Sequence, residues 1–304
     1  MARNSIAALI LTYNDYELTA NLCKNLLAQN EVSQIVIVDN SDSADIQIKN
    51  SQSLPLIAKN IAYIKAPSND GYAAGNNIGI RYILDNTDAA YIWIINNDII
   101  PQKNAAISMV EELQLHDNKA VCGSVLLYYN ETGIIDDNVK LQCYGGGAYY
   151  PALGKTKLVC KNLPLSAVND TPVKKVDFIM GASLMVHRNI FRDIGLMPEE
   201  YFMYFEETDW QTLAKKYDYK VIVATQSLVF HLDSLSTKNK KHSFYYFLNR
   251  SAIIFTKKYY VYYLPSVLLF RSFENIVLVP GFKNKVYSIR GLVNGLIHKK
   301  LKTN

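Results

Sequence analysis

The sequence predicts an α/β protein with a mostly parallel sheet covered by helices. Three features carry that prediction. Short apolar runs recur through the first half of the chain, helical patterns separate them, and three of the runs end in polar triplets at Thr12-Tyr13-Asn14, Asp39-Asn40-Ser41 and Asn96-Asn97-Asp98. Ligands of such sheets bind beyond the carboxyl ends of the strands, so the triplets also mark the expected site.

Ile6–Thr12 reads as the first strand, followed by a helix over Tyr16–Gln29 with Leu18, Leu22 and Leu26 four apart and Asp15 as its N-cap. Ile35–Val38 and Ile61–Ile64 read as strands, and Gly71–Leu84 as a helix whose first turns are rich in glycine. Tyr91–Ile95 is a strand, and Pro101 is expected to open a helix reaching Leu115, because proline suits a first helical turn. Ala120–Tyr128 is a strand, 130–172 reads as loops and short hairpin strands, and Val173–Val186 is an apolar stretch containing Gly181. A helix over Glu207–Lys216, a strand over Lys220–Ala224 and a last short run, Val229-Phe230-His231, complete the body.

Composition excludes several classes. The 304 residues are 49% hydrophobic and 12% aromatic, with 14 Gly and 9 Pro, which rules out a disordered, collagen-like or low-complexity chain. Cys23, Cys122, Cys143 and Cys160 form no CxxC pair, so a zinc knuckle and a dithiol redox motif are excluded and reduced thiols of a cytoplasmic protein are expected. The opening apolar run meets Asn14 and Asp15 too early for a secretory signal. No run reaches the roughly 18–20 apolar residues of a membrane span; Tyr259–Phe270 is bounded by Lys258 and Arg271 and contains Pro265.

Charge is unevenly placed. Residues 238–304 hold 13 Lys or Arg, seven Tyr and one acid, Glu274, a local balance of +12, whereas 1–237 carries 19 basic and 26 acidic residues. The expected organisation is therefore a catalytic and ligand-binding domain over 1–237 and a basic, aromatic-rich helical tail over 238–304. Within the tail, Phe244–Phe255 is helical in pattern. Val286, Ile289, Leu292, Val293, Leu296, Ile297 and Leu301 trace one helix face, with Lys285, Arg290, Asn294, Lys299 and Lys302 largely off it. Such a helix suits an anionic membrane surface, the alternative being a helix docked on its own domain. The apolar stripe favours membrane over nucleic acid as the partner.

Four groups of residues suggest chemistry. Asn96-Asn97-Asp98 ends a strand with one carboxylate between amides, which suits Mg²⁺ or Mn²⁺ held partly by phosphate and water, or else a helix cap ahead of Pro101. Gly71, Gly75 and Gly79 lie four apart, unlike a GxGxxG dinucleotide fingerprint, and permit close approach of a ligand or another helix. Glu206, Glu207 and Asp209 follow an aromatic run; clustered acids raise one another's pKa, although acids also suit a helix N-terminus. His231 ends an apolar run. Arg250 is a candidate for a diphosphate or an acceptor phosphate, or a surface charge.

Together, and in this order, the segments resemble glycosyltransferase family 2, within it the bacterial rhamnosyltransferase-like branch, over residues 5 to about 255. They are Thr12-Tyr13-Asn14, Val38-Asp39-Asn40-Ser41, Asn69-x-Gly71-Tyr72-Ala73-x-Gly75-Asn76-Asn77-x-Gly79, Asn96-Asn97-Asp98, Gly181-Ala182-Ser183, Phe202-Met203-Tyr204-Phe205-Glu206-Glu207-x-Asp209-Trp210 and His231. The resemblance implies a GT-A fold, a nucleotide-sugar donor, a divalent cation, Mg²⁺ or Mn²⁺, and inversion at the anomeric carbon. It implies nucleobase and ribose contacts from Thr12, Tyr13 and Asp39, a donor-pocket loop with Asn69, Gly71 and Asn76, and further nucleotide-sugar contacts from Asn14, Tyr72, Asn97 and Gly181. Asp98 matches the last acid of a DxD-type metal motif, His231 a metal or diphosphate ligand, and Glu207 the catalytic base, with Glu206 before it and Asp209 as the rival base. Two departures stand out: the metal triplet is Asn-Asn-Asp, and the base position, commonly Asp, is Glu. The donor expected from the branch is dTDP-rhamnose, with UDP-hexoses and UDP-galactofuranose open. The expected acceptor is a glycan or polyprenyl-diphosphate-linked glycan of a surface polysaccharide, and the expected location is peripheral on the inner face of the cell membrane. A non-enzymatic glycan or nucleotide binder is the competing class; Asp98, Glu207 and His231 weigh against it.

Overall fold

The computed structural model describes residues 4–42, 60–130, 133–169, 175–232 and 242–298. The expected boundary near 237, the stripe residue Leu301 and the off-stripe Lys299 and Lys302 lie outside them.

The central sheet has nine strands. β1 (Ile6–Thr12), β2 (Val32–Asp39), β3 (Ile61–Lys65) and β4 (Tyr91–Asn96) run parallel in the order β3-β2-β1-β4. β11 (Ser183–His187) lies antiparallel between β4 and β6 (Ala120–Tyr128), and β12 (Lys220–His231) returns parallel to β6. β5 (Ile99–Pro101) forms the far edge against β12, and β7 (Leu141–Tyr144) pairs with β6. A second, three-stranded antiparallel sheet joins β8 (Gly146–Tyr150), β9 (Lys155–Leu158) and β10 (Phe178–Ile179).

Both faces of the large sheet are buried, so its strands read as continuous apolar runs. In β1, Ala7 and Leu9 join one core cluster with Ile80 and Ile83 of α2 (Tyr72–Asn86). Ile6, Ala8 and Ile10 join the opposite one with Leu22 and Leu26 of α1 (Tyr16–Leu27) and Met109 of α3 (Ala105–Gln114). Asp15 caps α1 by accepting from the Leu18 amide at 3.4 Å, as expected. α4 (Glu206–Lys216) closes the first face through Trp210.

Two element readings are corrected. Pro101 ends β5 rather than opening a helix: a residue without an N–H is tolerated on an edge strand, and α3 starts at Ala105. The runs at 220–224 and 229–231 are one strand, β12, with a register shift between Ala224 and Leu228 that breaks the alternation.

The basic C-terminal part folds as α5 (His242–Tyr259), α6 (Leu264–Val277) and α7 (Phe282–Ile297). α5 is part of the body: Ala252, Ile254 and Phe255 form a buried cluster with Tyr149, Tyr201 and Phe205. Its Ser251 hydroxyl donates to the Met203 carbonyl at 2.9 Å.

Candidate active site

A cleft of about 770 Å³ opens where β1 and β4 end. Thr12, Tyr13, Asn40, Asn69, Gly71, Tyr72, Asn96, Asn97 and Asp98 line it from the sheet side, and Phe202, Met203, Ser243 and Phe247 from the helical side. The strand-end triplets converge because the parallel strands all deliver their C-terminal ends to one edge.

The Thr12–Asp39 end is a closed hydrogen-bond network. Asp39 is fully buried, and one oxygen accepts from Tyr16 at 2.8 Å and Tyr63 at 2.5 Å while the other accepts from the Ser41 amide at 2.8 Å. Lys65 stands 3.8 Å from the carboxylate and donates to the Ser41 carbonyl. Burial alone would raise the Asp39 pKa; the Ser41, Tyr63 and Tyr16 donors outweigh it and hold it below the usual range. Asp39, expected from the sequence at the nucleobase, has its carboxylate engaged by protein donors and does not line the cleft. Above it, the Asn14 amide donates to Ser41, and Tyr13, half-exposed, donates to Asp42 at 2.8 Å.

The donor-loop segment is held by amides. Asn40 donates to Asn69 at 3.4 Å and to the Gly71 carbonyl at 3.2 Å. Asn76 is buried, donates to the Tyr72 carbonyl and does not reach the cleft. Gly71 is required by two facts: its φ is +98°, and a side chain there would collide with the Phe202 carbonyl oxygen, which accepts from the Tyr72 amide at 2.8 Å. Gly181 shapes Tyr72 instead of lining the cleft: its carbonyl accepts from the Tyr72 hydroxyl at 2.7 Å, and a side chain at 181 would strike that ring.

At the end of β4, Asp98 and His231 meet. His231 Nε2 lies 3.2 Å from Asp98 Oδ2, and His231 Nδ1 lies 2.6 Å from Gln142 Oε1. His231 Nε2 and Asp98 Oδ2 are close enough to share a proton or to ligate one metal ion, while Gln142 orients the ring through Nδ1. Asp98 Oδ1 is buried without a partner. Both observations fit a divalent cation with two protein ligands, the rest coming from phosphate and water. Among the described residues, no cluster of three or more His, Cys, Asp or Glu side chains forms a complete protein cage. Asn97 is committed elsewhere, donating to the Asp15 carbonyl at 3.1 Å.

The acids of α4 divide into two kinds. Glu206 and Glu207 each keep one buried oxygen without a hydrogen-bond partner. Burial holds the Glu207 carboxyl up at about 7, and burial together with the Glu207 charge pushes Glu206 well above its ordinary value. Both carboxylates, with Asp98, raise the Tyr72 phenol after the larger effect of its own burial; Tyr72 and Asp98 line the cleft, whereas Glu206 and Glu207 are not among its lining residues. Asp209, by contrast, is saturated: it accepts from Tyr201 at 2.5 Å, Tyr259 at 2.6 Å and Lys258 at 2.7 Å. The turn before α4 is strained, with Phe202, Tyr204 and Phe205 at φ of +66°, +67° and +72°. The α4 helix is fixed behind it by Gln211, which pairs with both backbone groups of Ile179.

Arg250 is a correction. Its guanidinium donates to the Glu200 and Tyr201 carbonyls at 2.9 and 3.1 Å and meets His298 at 3.2 Å, so it braces backbone outside the cleft. Ser243 and Phe247 were not legible as site residues, because tertiary packing of α5 brings them in; Phe247 stacks on Phe202 with ring centres 4.6 Å apart. Tyr16, Tyr63 and Gln142 carry no local signal of a role at the site: Tyr16 opens α1, Tyr63 is the middle residue of β3, and Gln142 lies in β7.

The comparisons agree with this geometry. The low-salt glycan biosynthesis hexosyltransferase of Haloferax volcanii is 26% identical over 214 residues, 70% of this chain and 62% of that protein. The dTDP-rhamnosyl transferase RfbF of Shigella flexneri is 24% identical over 296 residues, covering 93% of this chain and 91% of that one. Among solved structures, GalNAc-T7 with UDP, GalNAc and Mn²⁺ superposes with a TM-score of 0.67 at 14% identity, over 94% of this chain and 54% of that one. The mannosyltransferase of Pyrobaculum calidifontis with GDP-Man and Mn²⁺ gives 0.55 at 11% identity, over 96% and 86%. The chain thus spans less than two thirds of the hexosyltransferase and of GalNAc-T7, and these likenesses show a GT-A fold. The family model for glycosyl transferase family 2 matches residues 7–194, more than half of the chain, and the protein belongs to that family.

Proposed function

We propose that the protein is an inverting glycosyltransferase that takes a sugar from a nucleotide-sugar donor, L-rhamnose from dTDP-rhamnose, and adds it to a growing, lipid-linked surface polysaccharide. The observation that carries the reading is a cleft lined by Asp98, which keeps a buried oxygen without a partner and meets His231, with two more carboxylates that keep an unpartnered buried oxygen, Glu206 and Glu207, in the helix that follows the cleft-lining residues Phe202 and Met203. Buried polar groups without partners are rare in folded proteins and concentrate where a ligand completes them. The rhamnose and dTDP assignments rest on the likeness to RfbF, which spans nearly the full length of both chains.

In this reading the nucleobase lies at Thr12 and Tyr13, over the Asp39 network, and the diphosphate lies along Gly71 and Asp98. Asp98 and His231 would hold Mg²⁺ or Mn²⁺, which when bound supplies charge to stabilise the departing diphosphate. Glu207 accepts the proton of the acceptor hydroxyl as that oxygen attacks the anomeric carbon. Single displacement needs one base and no enzyme nucleophile, so inversion follows. Asp209 has no free acceptor for this task. It anchors α4 to α5 through Lys258 and Tyr259. Phe202, Phe247 and Met203 form an apolar wall on the helical side of the cleft, suited to the acceptor.

The test is a donor panel of dTDP-rhamnose, UDP-hexoses, UDP-galactofuranose and GDP-mannose, scored by slow hydrolysis and by binding, with and without Mn²⁺. Preference for dTDP-rhamnose with metal-dependent turnover supports the proposal. Equal indifference to all donors, in binding and turnover alike, overturns it.

A further inference from the structure

We infer that the outward faces of α6 and α7 form a docking surface for an anionic lipid bilayer. Each helix packs inward with mostly small or polar residues and one apolar anchor. α6 buries Val267, Arg271 and Asn275, and α7 buries Ser288, Gly291, Leu292 and Gly295. Side chains at Gly291 and Gly295 would collide with the Tyr246 and Arg250 carbonyl oxygens, so α7 lies almost backbone to backbone on α5. Of the described residues of the apolar stripe traced in the sequence, Leu292 is buried in that contact and Val286 is half-buried, whereas Ile289, Val293, Leu296 and Ile297 are exposed.

Val267 and Leu292 pack inward with Leu264 and Leu268 against Ile253, and several other large apolar side chains are left outside. Leu269, Phe273 and Ile276 stand on α6 at spacings of four and three, with Leu269 77% and Phe273 63% exposed. Phe282, Ile289 and Val293 stand on α7, with Phe282 84% exposed. Repeated exposure of large apolar side chains along two helices that pack on each other marks an interaction surface, since single scattered residues would need no explanation.

Charge selects the occupant. Of the 13 Lys or Arg in residues 238–304, Arg250, Lys258 and Arg271 are taken up by the body, whereas Lys283 and Arg290 are exposed on α7 and Lys299, Lys300 and Lys302 follow it in the sequence, with Glu274 as the one acid of the segment. A second copy of the chain would bring like charges together across such a face, whereas an anionic headgroup layer complements them. No helix among the described residues is long and apolar enough to cross a membrane, so the helices lie on the bilayer with their aromatic and aliphatic side chains in the headgroup boundary. The inference stands on this surface and not on the transferase reading.

The experiment is co-sedimentation of the full chain with phosphatidylcholine vesicles, with and without added phosphatidylglycerol, at two salt concentrations. The protein is expected to partition onto the anionic vesicles and to come off at high salt. Phe273→Asp with Phe282→Asp should lower the partition at least about tenfold, because two apolar anchors are lost. Lys283→Glu with Arg290→Glu should lower it on the order of tenfold or more, and only on anionic vesicles. Equal melting temperatures show that the variants fold. Three results overturn the inference. They are absence of wild-type binding, wild-type-like binding by Phe273→Asp with Phe282→Asp, and a concentration-dependent dimer that this variant dissociates without any vesicle binding.

Discussion

Asp39 and Glu207 are both acids at the ends of elements, one closing β2 and the other in the first turn of α4, and the fold treats them in opposite ways. Around Asp39 every approach is filled by Tyr16, Tyr63 and Ser41, and the carboxyl is held below its usual range despite burial. Around Glu207 one buried oxygen is left open, and burial holds the carboxyl up at about 7. Asp209, on the same helix, belongs with Asp39, because Tyr201, Tyr259 and Lys258 saturate it. Satisfied carboxylates build walls and unsatisfied ones await a ligand or a proton, so hydrogen-bond satisfaction separates structural from chemical acids more sharply than position in the sequence.

Substitutions can break or sharpen this contrast. The largest effect is expected from Glu207→Gln, which keeps size but removes basicity. Turnover should fall roughly 10²–10⁴-fold with donor affinity and melting temperature held, as steady-state kinetics and calorimetry can read. Gly71→Ala comes next. It forces a left-handed conformation on alanine and drives Cβ into the Phe202 carbonyl, so a loss of about 2–4 kcal/mol in denaturant unfolding is expected, with weaker donor binding. Asp209→Asn should cost about 2 kcal/mol, because Lys258 keeps only Glu200, at 3.3 Å, while the chemistry survives in the fraction that stays folded.

The smallest effect is expected from Asp39→Asn, about 1–2 kcal/mol, together with weaker binding of a free nucleoside diphosphate. Its pH signature is specific. A carboxyl whose folded pKa is depressed contributes stability above its unfolded pKa and loses it as pH falls through the folded value. The Asp39 contribution should therefore disappear on acidification. Glu207 has the opposite sign. Its raised pKa contributes stability below the unfolded value, which fades as pH rises through about 7, and Glu207→Gln should remove that fade.

Much of this was readable from the sequence where a local rule acts alone. β1, β4 and β6 are apolar runs of strand length, α1 carries its own cap at Asp15, and the polar triplets lie at strand ends because the sheet is parallel. Legibility failed where two rules compete or where the signal is tertiary. Pro101 suits a first helical turn and an edge strand equally, and the sheet decides. The bulge in β12 hides one strand as two. Arg250 has the chemistry of a phosphate ligand, but its direction is set by the Glu200 and Tyr201 carbonyls. Ser243 and Phe247 enter the cleft only because α5 packs on the strained turn at 202–205, which no local pattern announces. Glu207 and Asp209 are indistinguishable as letters and are separated by their hydrogen-bond partners.

The central claim, that Glu207 and not Asp209 titrates in the reaction, is tested most directly by the pH dependence of turnover at saturating donor for the wild type, Glu207→Gln and Asp209→Asn. The wild-type rate should climb through pH of about 7 as Glu207 loses its proton. Asp209→Asn should keep that inflection at a lower folded fraction, and Glu207→Gln should show a low rate with no inflection there. An inflection that survives in Glu207→Gln and vanishes in Asp209→Asn would contradict the account.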